Sequence, residues 1–188
     1  MNEYFETIKC DDYEVFNLDY HCKRISNTIG LNINLAEYIY PPNSKLLKCK
    51  VIYDNSGIID VQFSEYKKRQ IKSFKIIFDD DIKYSSKLVN RDNINTLFNK
   101  RENNDEIIII KNKIVKDTSI ANIAILYDGT WITSKSYILA GTTRARYINN
   151  NELIEKDITL EMLQKAEKIA LMNAMIDFDI LSDYSFSL

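Results

Sequence analysis

The chain has 188 residues, of which 45% are hydrophobic and 28% are charged. This length is typical of one domain or two small ones, and the apolar content is sufficient for a packed core, which excludes a disordered chain. Twenty-five Lys and Arg residues against 27 Asp and Glu residues give a net charge of -2. We therefore expect no nucleic-acid partner, because nucleic-acid binding requires a strong positive field. No apolar run approaches the roughly 20 residues of a membrane helix, so we expect no membrane partner either.

The cysteine and histidine content restricts the kinds of site that the chain can build. Cys10, Cys22 and Cys49 are odd in number and lack CxxC spacing, and the chain begins without the apolar segment of a secretory signal. These features favour a reducing, cytoplasmic environment. His21 is the one histidine in the sequence, so we expect no Cys/His metal site.

The first part of the chain predicts an α+β arrangement of hairpins and one helix. Asp11-Asp12 and the DNSG sequence at 54–57 have the composition of turns between β-prone runs. Asn17 or Asp19 can cap a helix that Gly30 ends. The predicted elements are strands over 4–10 and 13–16, a helix over 20–28, and strands over 46–53, 58–63 and 71–78.

The acidic turn at 79–81 predicts a boundary between an N-terminal α+β subdomain, residues 1–80, and a C-terminal α/β subdomain, residues 81–188. Asp128-Gly129 predicts a tight hairpin, and the hydroxyl of Thr142 or Thr143 can cap a short helix. Apolar residues at three- and four-residue spacing predict a long final helix. The predicted elements are a helix near 93–99, strands over 106–111, 120–127 and 131–132, a helix over 144–148 and a helix from 159 to about 177.

Three groups of short motifs follow one another along the chain. The first is FETIK at 5–9 with HCKR at 21–24, and the second is KLVNR at 87–91. The third combines DTSIAN at 117–122, DGTWIT at 128–133 and GTTR at 141–144. Each motif alone has an ordinary structural interpretation: a solvated helix arginine with a packed histidine, a surface lysine, or a hairpin before a capped helix. These interpretations do not explain why all three groups of motifs occur in this order along one chain.

Together these motifs resemble the class IV aminotransferases, the fold type IV enzymes that depend on pyridoxal 5'-phosphate. The family includes aminodeoxychorismate lyase, branched-chain aminotransferase and D-amino-acid aminotransferase, and the resemblance extends from Phe5 to Phe178. It implies a D-amino-acid-aminotransferase-like α+β fold, in which two small α/β subdomains hold the cofactor between them. Because the chain starts almost at the FETIK strand and stops soon after Phe178, we expect a form truncated at both ends.

The resemblance implies roles for a lysine and an arginine in the first two motif groups. Lys87 corresponds to the lysine that binds the cofactor covalently and then acts as the catalytic base. Lys83 is the alternative, but it lacks the Asn-Arg pair that follows Lys87 at the family's spacing. Arg24 corresponds to the arginine that binds the cofactor phosphate, for which a guanidinium is well suited.

The resemblance also implies cofactor-binding residues in the second half of the chain. Asp117 occupies the position of the acidic residue that keeps the pyridine nitrogen protonated, where the family usually has Glu. Asn122 belongs to the same motif. Thr142 and Thr143 lie at the start of a predicted helix, where phosphate groups bind. Asn173 corresponds to a late segment near the phosphate, although residues at this helical spacing are more often part of the core.

Three functions are compatible with these residues. The lyase branch is favoured by the FETIK opening and the MNAM sequence at 172–175, and its members eliminate pyruvate from 4-amino-4-deoxychorismate to give 4-aminobenzoate. An aminotransferase of the branched-chain or D-amino-acid type is the alternative, and a catalytically reduced paralogue that binds the cofactor is the third. For all three, the resemblance implies a small amino substrate or ligand and a homodimer.

Overall fold

The computed structural model describes residues 2–188 and divides the chain into two compact units. The first unit contains the residues up to Lys68 together with Ser86–Asn90. The second contains Arg69–Ser85 and Arg91–Leu188. The division differs from the boundary predicted at residues 80 and 81, because the strand at 73–78 belongs to the second unit and the segment that contains Lys87 belongs to the first.

The first unit is one antiparallel sheet with one α-helix. Its strands are ordered β2-β1-β3-β4, and both predicted hairpins are present. A short 3-10 helix at Leu35–Glu37 precedes the second hairpin. The elements are β1 (Tyr4–Asp11), β2 (Glu14–Val15), α1 (Leu18–Ile29), β3 (Leu47–Asp54) and β4 (Gly57–Glu65).

The helix α1 packs its buried side against the first sheet. Ile25 on α1 and Ile8 on β1 are fully buried in one apolar cluster. Gly30 ends the helix at φ 77°, as predicted, and its N–H donates to the carbonyl of Ser26. Asn17 occupies the predicted N-cap position, but its side chain forms no capping hydrogen bond.

The second unit contains two sheets, three short α-helices and a 3-10 helix at Asn99–Arg101. The strands β13-β5-β6-β7 form one sheet, and β10-β9-β8-β11-β12 form the other. The elements are β5 (Ser73–Phe78), α2 (Asp92–Phe98), β6 (Glu106–Lys111), β7 (Ile114–Val115), β8 (Asn122–Tyr127), β9 (Thr130–Thr133), α3 (Thr142–Asn149), β10 (Ile154–Glu155), α4 (Leu160–Gln164), β11 (Lys168–Asn173), β12 (Asp177–Ile180) and β13 (Ser185–Ser187).

Most of the predicted elements of the second unit are present. Four consecutive isoleucines at 107–110 are buried in β6, a pattern typical of a strand covered on both faces. The β8-β9 hairpin turns at Asp128 and Gly129, with φ angles of 50° and 70°, as the Asp-Gly pair predicts.

The prediction of a long final helix over 159–177 is wrong. The helix α4 ends at Gln164, and the next apolar residues form β11, which pairs with both β8 and β12. Ile169, Ala170, Leu171 and Met172 are all buried, which requires a central strand rather than one face of a helix. The predicted start is confirmed, because the Thr159 hydroxyl accepts a hydrogen bond from the Met162 N–H.

The hydroxyl cap predicted for the short helix is also wrong. The N-cap of α3 is Gly141, and no side-chain capping bond is formed. Thr142 and Thr143 are instead the first two helical residues, and both are buried. The first N–H groups of α3 are therefore not capped by the residue that precedes them.

Candidate cofactor site

A buried carboxylate on β1 connects the strand to α1. Glu6 lies on β1 and is fully buried, while His21 and Arg24 lie three residues apart on α1, which places them on one face of the helix. The Glu6 carboxylate lies 2.6 Å from His21 Nδ1 and accepts a hydrogen bond of 2.8 Å from Arg24 Nε. A second guanidinium nitrogen of Arg24 donates to the other Glu6 oxygen, so the pairing is bidentate.

The pKa values of Glu6 and His21 are both shifted from their usual values. Burial raises the pKa of Glu6, but the Arg24 charge and the hydrogen bonds from His21 and Arg24 outweigh it and lower that pKa to about 2. Burial also lowers the pKa of His21, and the positive charges of Arg24 and Lys87 act in the same direction. At neutral pH the trio thus comprises an ionised Glu6, a neutral His21 and a guanidinium held in one orientation.

Lys87 is anchored next to the start of β1. Its carbonyl accepts a hydrogen bond of 2.9 Å from the Phe5 N–H, and Leu88 forms a β-bridge with Tyr4. The Lys87 ammonium lies 4.5 Å from the centroid of the Phe5 ring, and the side chain is half-buried. Lys83, the alternative, is exposed and belongs to the second unit.

Asp117 is buried in the second unit and accepts three hydrogen bonds. One oxygen accepts from Asn122 Nδ2 at 2.7 Å, and the other accepts from the N–H groups of Ile138 and Leu139 at 2.8 and 2.9 Å. Burial raises the pKa of Asp117, and the hydrogen bonds reduce this effect without reversing it. The structure therefore brings together two of the predicted site residues, Asp117 and Asn122.

The turn into α3 also approaches Asn122 closely. A Cβ atom at Gly141 would lie 1.8 Å from Asn122 Oδ1, so the position admits only glycine unless Asn122 moves. Thr142 and Thr143 follow directly. The four predicted residues Asp117, Asn122, Thr142 and Thr143 thus belong to one contiguous region of the second unit.

Asn173 lies at the end of β11 rather than on the predicted helix. Its side-chain oxygen accepts hydrogen bonds from the N–H groups of Met175 and Ile176, at 2.9 and 3.1 Å. Its amide nitrogen donates to the Ile120 carbonyl. These contacts account for Asn173 as the residue that shapes the turn between β11 and β12.

Glu6 and His21 were not predicted as site residues. Their signal was present in the sequence, because HCKR places His21 and Arg24 on one helix face and Glu6 lies on a strand with Phe5 and Ile8. What the sequence could not indicate is that Glu6, a charged residue between Phe5 and Thr7, is fully buried. No group of His, Cys, Asp and Glu side chains in residues 2–188 is arranged to hold a metal ion.

Comparison with known proteins places this geometry in a family. Residues 81–178 match the model of the family described as amino-transferase class IV. The chain belongs to the class IV aminotransferases. A Haemophilus influenzae protein of uncharacterized function is 30% identical over an aligned length of 186 residues, and the match covers 93% of this chain and 98% of that protein.

Solved structures share the class IV aminotransferase fold. A crystal structure from Haemophilus somnus 129PT, provisionally assigned as a 4-amino-4-deoxychorismate lyase, is 30% identical, with a TM-score of 0.85 and coverage of 93% of this chain and 97% of that one. The PLP-bound form of a hypothetical aminotransferase from Mycobacterium tuberculosis has a TM-score of 0.76 at 14% identity, over 98% of this chain and 81% of that one.

No helix within residues 2–188 is long and apolar enough to span a membrane.

Class IV aminotransferases depend on pyridoxal 5'-phosphate, and each unit by itself contains groups of the kind that suit a phosphate. In the first unit Arg24 is held by a bidentate pair with Glu6. In the second unit Gly141 lets the backbone approach Asn122 at the uncapped start of α3. A guanidinium and helix N–H groups are the donors that phosphate esters prefer. The two oxygens of Asp117 have about four acceptor positions, of which three are occupied, so one proton-bearing nitrogen can still be bound.

Proposed function

We propose that this class IV aminotransferase is a pyridoxal 5'-phosphate enzyme that eliminates pyruvate from 4-amino-4-deoxychorismate and releases 4-aminobenzoate. The observation that carries the cofactor part of the proposal is the anchored Lys87, whose carbonyl is bonded to the Phe5 N–H and whose ammonium lies 4.5 Å from the Phe5 ring, next to the buried Glu6 on β1. The charge of Lys87 also lowers the pKa of the buried His21. The lyase part is supported by 30% identity to the structure provisionally assigned as such a lyase, over nearly the full length of both chains.

The proposal assigns a distinct task to each residue. Lys87 Nζ would bind the cofactor covalently and, once displaced by the substrate amine, would take the proton from the carbon that bears this amine. Arg24 and the N–H and hydroxyl groups of Thr142 and Thr143 would bind the phosphate. Asp117 would hold a proton on the ring nitrogen. The cofactor, when bound, supplies a ring that accepts the electrons of the broken C–H bond.

The choice between Lys87 and Lys83 makes the cofactor part testable. Purified protein is mixed with pyridoxal 5'-phosphate, its near-visible absorbance is recorded, and the adduct is reduced with borohydride and mapped by mass spectrometry. We expect a yellow protein with the phosphopyridoxyl group on Lys87. Lys83→Ala should behave as the wild type, whereas Lys87→Ala should not turn yellow. No absorbance band, or a group on Lys83 or on scattered lysines, would contradict the proposal.

Product analysis separates the lyase from an aminotransferase. With 4-amino-4-deoxychorismate as the substrate, a lyase releases equal amounts of pyruvate and 4-aminobenzoate and needs no 2-oxo acid. An aminotransferase requires a 2-oxo acid and converts it to an amino acid. Turnover that depends on an added 2-oxo acid would contradict the lyase assignment and leave the cofactor assignment intact.

A homodimer is also part of the proposal, by analogy with proteins of this fold. Light scattering of the purified protein, with and without pyridoxal 5'-phosphate, measures the mass in solution. A monomer in both conditions would contradict this point alone.

A further inference from the structure

We infer that Asp117 is a positioning residue for the phosphate-binding turn, in addition to its proposed contact with the cofactor ring. Through Asn122, Ile138 and Leu139 its carboxylate holds the segment that leads into Gly141–Thr143. The inference rests on the proposed function, because it assigns a phosphate to that turn. It predicts that the Asp117 carboxylate determines affinity for the phosphate of the cofactor.

The segment at 134–141 has no regular secondary structure to hold it. It connects β9 to α3, and none of its residues belongs to a strand or helix. Two other side chains, besides those of Asp117 and Asn122, hold its first half: Arg144 donates to the Ser134 carbonyl at 2.8 Å, and Lys116 Nζ donates to Ser136 Oγ. Side chains rather than a backbone ladder therefore determine where the segment lies.

Asp117 and Asn122 hold the half of the segment that is nearest to α3. The Asp117 carboxylate binds two consecutive N–H groups, those of Ile138 and Leu139, and Asn122 Nδ2 donates to the Leu139 carbonyl at 3.0 Å. The same Asn122 side chain is the one that a Cβ at Gly141 would strike. The position of Asn122, fixed by Asp117, therefore sets the position of Gly141.

The backbone of Asp117 is itself paired with neighbouring strands of the unit. Its carbonyl accepts a hydrogen bond of 2.9 Å from the Ile109 N–H on β6, and the residue forms a β-bridge with Asn122. A buried carboxylate that accepts several N–H bonds forms stronger hydrogen bonds than a neutral acceptor. Removing the charge of Asp117 should therefore weaken the hydrogen bonds that hold the 138–141 segment. The N–H groups of the Gly141–Thr143 turn would then be less well fixed in position.

The substitution Asp117→Asn tests this inference through two ligands that differ only in the phosphate. Dissociation constants are measured for pyridoxal 5'-phosphate and for pyridoxal, and the ratio of the two reports the contribution of the phosphate. A residue that acts on the ring alone changes both constants equally and leaves the ratio unchanged. We expect Asp117→Asn to reduce the wild-type preference for the phosphorylated ligand by about 10-fold, which corresponds to about 1.4 kcal/mol.

Two further variants make the test independent of a general loss of structure. Asp105→Asn is the matched control, because Asp105 also accepts two backbone N–H bonds and one side-chain bond, from Lys72 and Ser73 elsewhere in the same unit. It should leave the ratio unchanged. Asn122→Ala keeps the Asp117 carboxylate and its bonds to the N–H groups of Ile138 and Leu139, but it removes the bond from Asn122 Nδ2 to the Leu139 carbonyl. It should reduce the ratio even if Asp117→Asn does not fold.

Inorganic phosphate separates failure of this inference from failure of the proposed function. Hydrogen exchange of the amides at 141–145 is measured with and without phosphate in the absence of any cofactor. The inference is supported if phosphate slows exchange of these amides in the wild type but not in Asp117→Asn or Asn122→Ala. This outcome would support it even if pyridoxal 5'-phosphate does not bind Lys87. An unchanged ligand ratio together with unchanged protection in both variants overturns it, even if the cofactor binds as proposed.

Discussion

Glu6 and Asp117 are both buried carboxylates, but the two units of the chain satisfy them in different ways. Glu6 is in contact with the Arg24 guanidinium and with His21. Within residues 2–188 the described hydrogen bonds to Asp117 all come from neutral N–H groups. The pKa of Glu6 is accordingly lowered to about 2, whereas the pKa of Asp117 is raised.

The difference shows what a cation in direct contact adds to a hydrogen-bonded carboxylate. Burial disfavours the ionised form of both groups. Three N–H dipoles offset that effect only in part at Asp117, whereas a bidentate guanidinium more than offsets it at Glu6. The first unit thus contains a carboxylate whose pKa lies well below its usual value, and the second contains one whose pKa lies above it.

The largest expected effect follows from removing the Arg24 guanidinium, the cation that contacts Glu6. Arg24→Ala leaves the Glu6 charge buried without its guanidinium, and such a loss typically costs about 3–5 kcal/mol in the free energy of unfolding. We also expect the pKa of Glu6 to rise, because burial then dominates. Urea denaturation at neutral pH measures the first effect, and its pH dependence measures the second.

An exposed ion pair in the same unit provides the control. The side chains of Lys45 and Glu65 form a pair in which they are 62% and 66% exposed. Lys45→Ala should cost at most about 1 kcal/mol, because solvent screens the pair. If Arg24→Ala lowers the free energy of unfolding no more than Lys45→Ala does, pairing of the buried Glu6 charge with Arg24 is not important for stability.

The pH dependence of stability should distinguish the two carboxylates by its sign. The pKa of Glu6 falls from 4.5 to about 2 on folding, so its contribution, about 3 kcal/mol, is present above pH 4.5 and is lost as the pH falls towards 2. The pKa of Asp117 is raised on folding, so ionisation of this residue lowers stability as the pH rises above its unfolded value.

Glu6→Gln and Asp117→Asn should therefore change the pH profile of unfolding in opposite directions. Glu6→Gln removes a contribution that increases with pH, and Asp117→Asn removes one that decreases with pH. Urea denaturation of both variants and the wild type over the acidic range gives the two difference profiles. Difference profiles with the same sign would show that the guanidinium at Glu6 and the N–H groups at Asp117 shift the carboxylate pKa in the same direction.

The close approach at Gly141 tests how rigidly the Asp117 region is held. In Gly141→Ala the new Cβ would lie 1.8 Å from Asn122 Oδ1, and accommodating it should cost about 1–3 kcal/mol. Combining Gly141→Ala with Asn122→Ala removes the colliding atom, so the two costs should not add. Thermal or urea unfolding of the two single variants and the double variant measures this coupling, and simple additivity would show that Asn122 moves freely.

Local sequence signals predicted much of the fold but not its last part. The Asp-Gly pair at 128–129 and Gly30 determine backbone conformations directly, and the elements that they bound were found. The apolar residues at 160–172 satisfy both helical spacing and a buried strand, so their pattern cannot decide between the two. Pairing with β8 and β12 decides it, and that pairing is a long-range property.

The same distinction applies to the candidate site. The motifs predicted Arg24, Lys87 and Asp117 as site residues because family motifs are short and contiguous. Their hydrogen-bond partners lie far along the chain: Glu6 is 18 residues from Arg24, and Leu139 is 22 residues from Asp117. Contacts of this separation depend on how the strands are packed, which a single sequence does not specify.

The smallest expected effect comes from removing the cation next to Asp117 in sequence. Lys116 is buried and its pKa is lowered by burial, but its Nζ donates to Ser136 rather than to Asp117. Lys116→Met loses that one hydrogen bond and relieves a buried charge, so the free energy of unfolding should change by about 1 kcal/mol or less. This change is far below that expected for Arg24→Ala, because Asp117 depends on N–H groups. If urea denaturation gives a loss as large as that of Arg24→Ala, Lys116 is the counter-ion of Asp117, and the two carboxylates are satisfied in the same way.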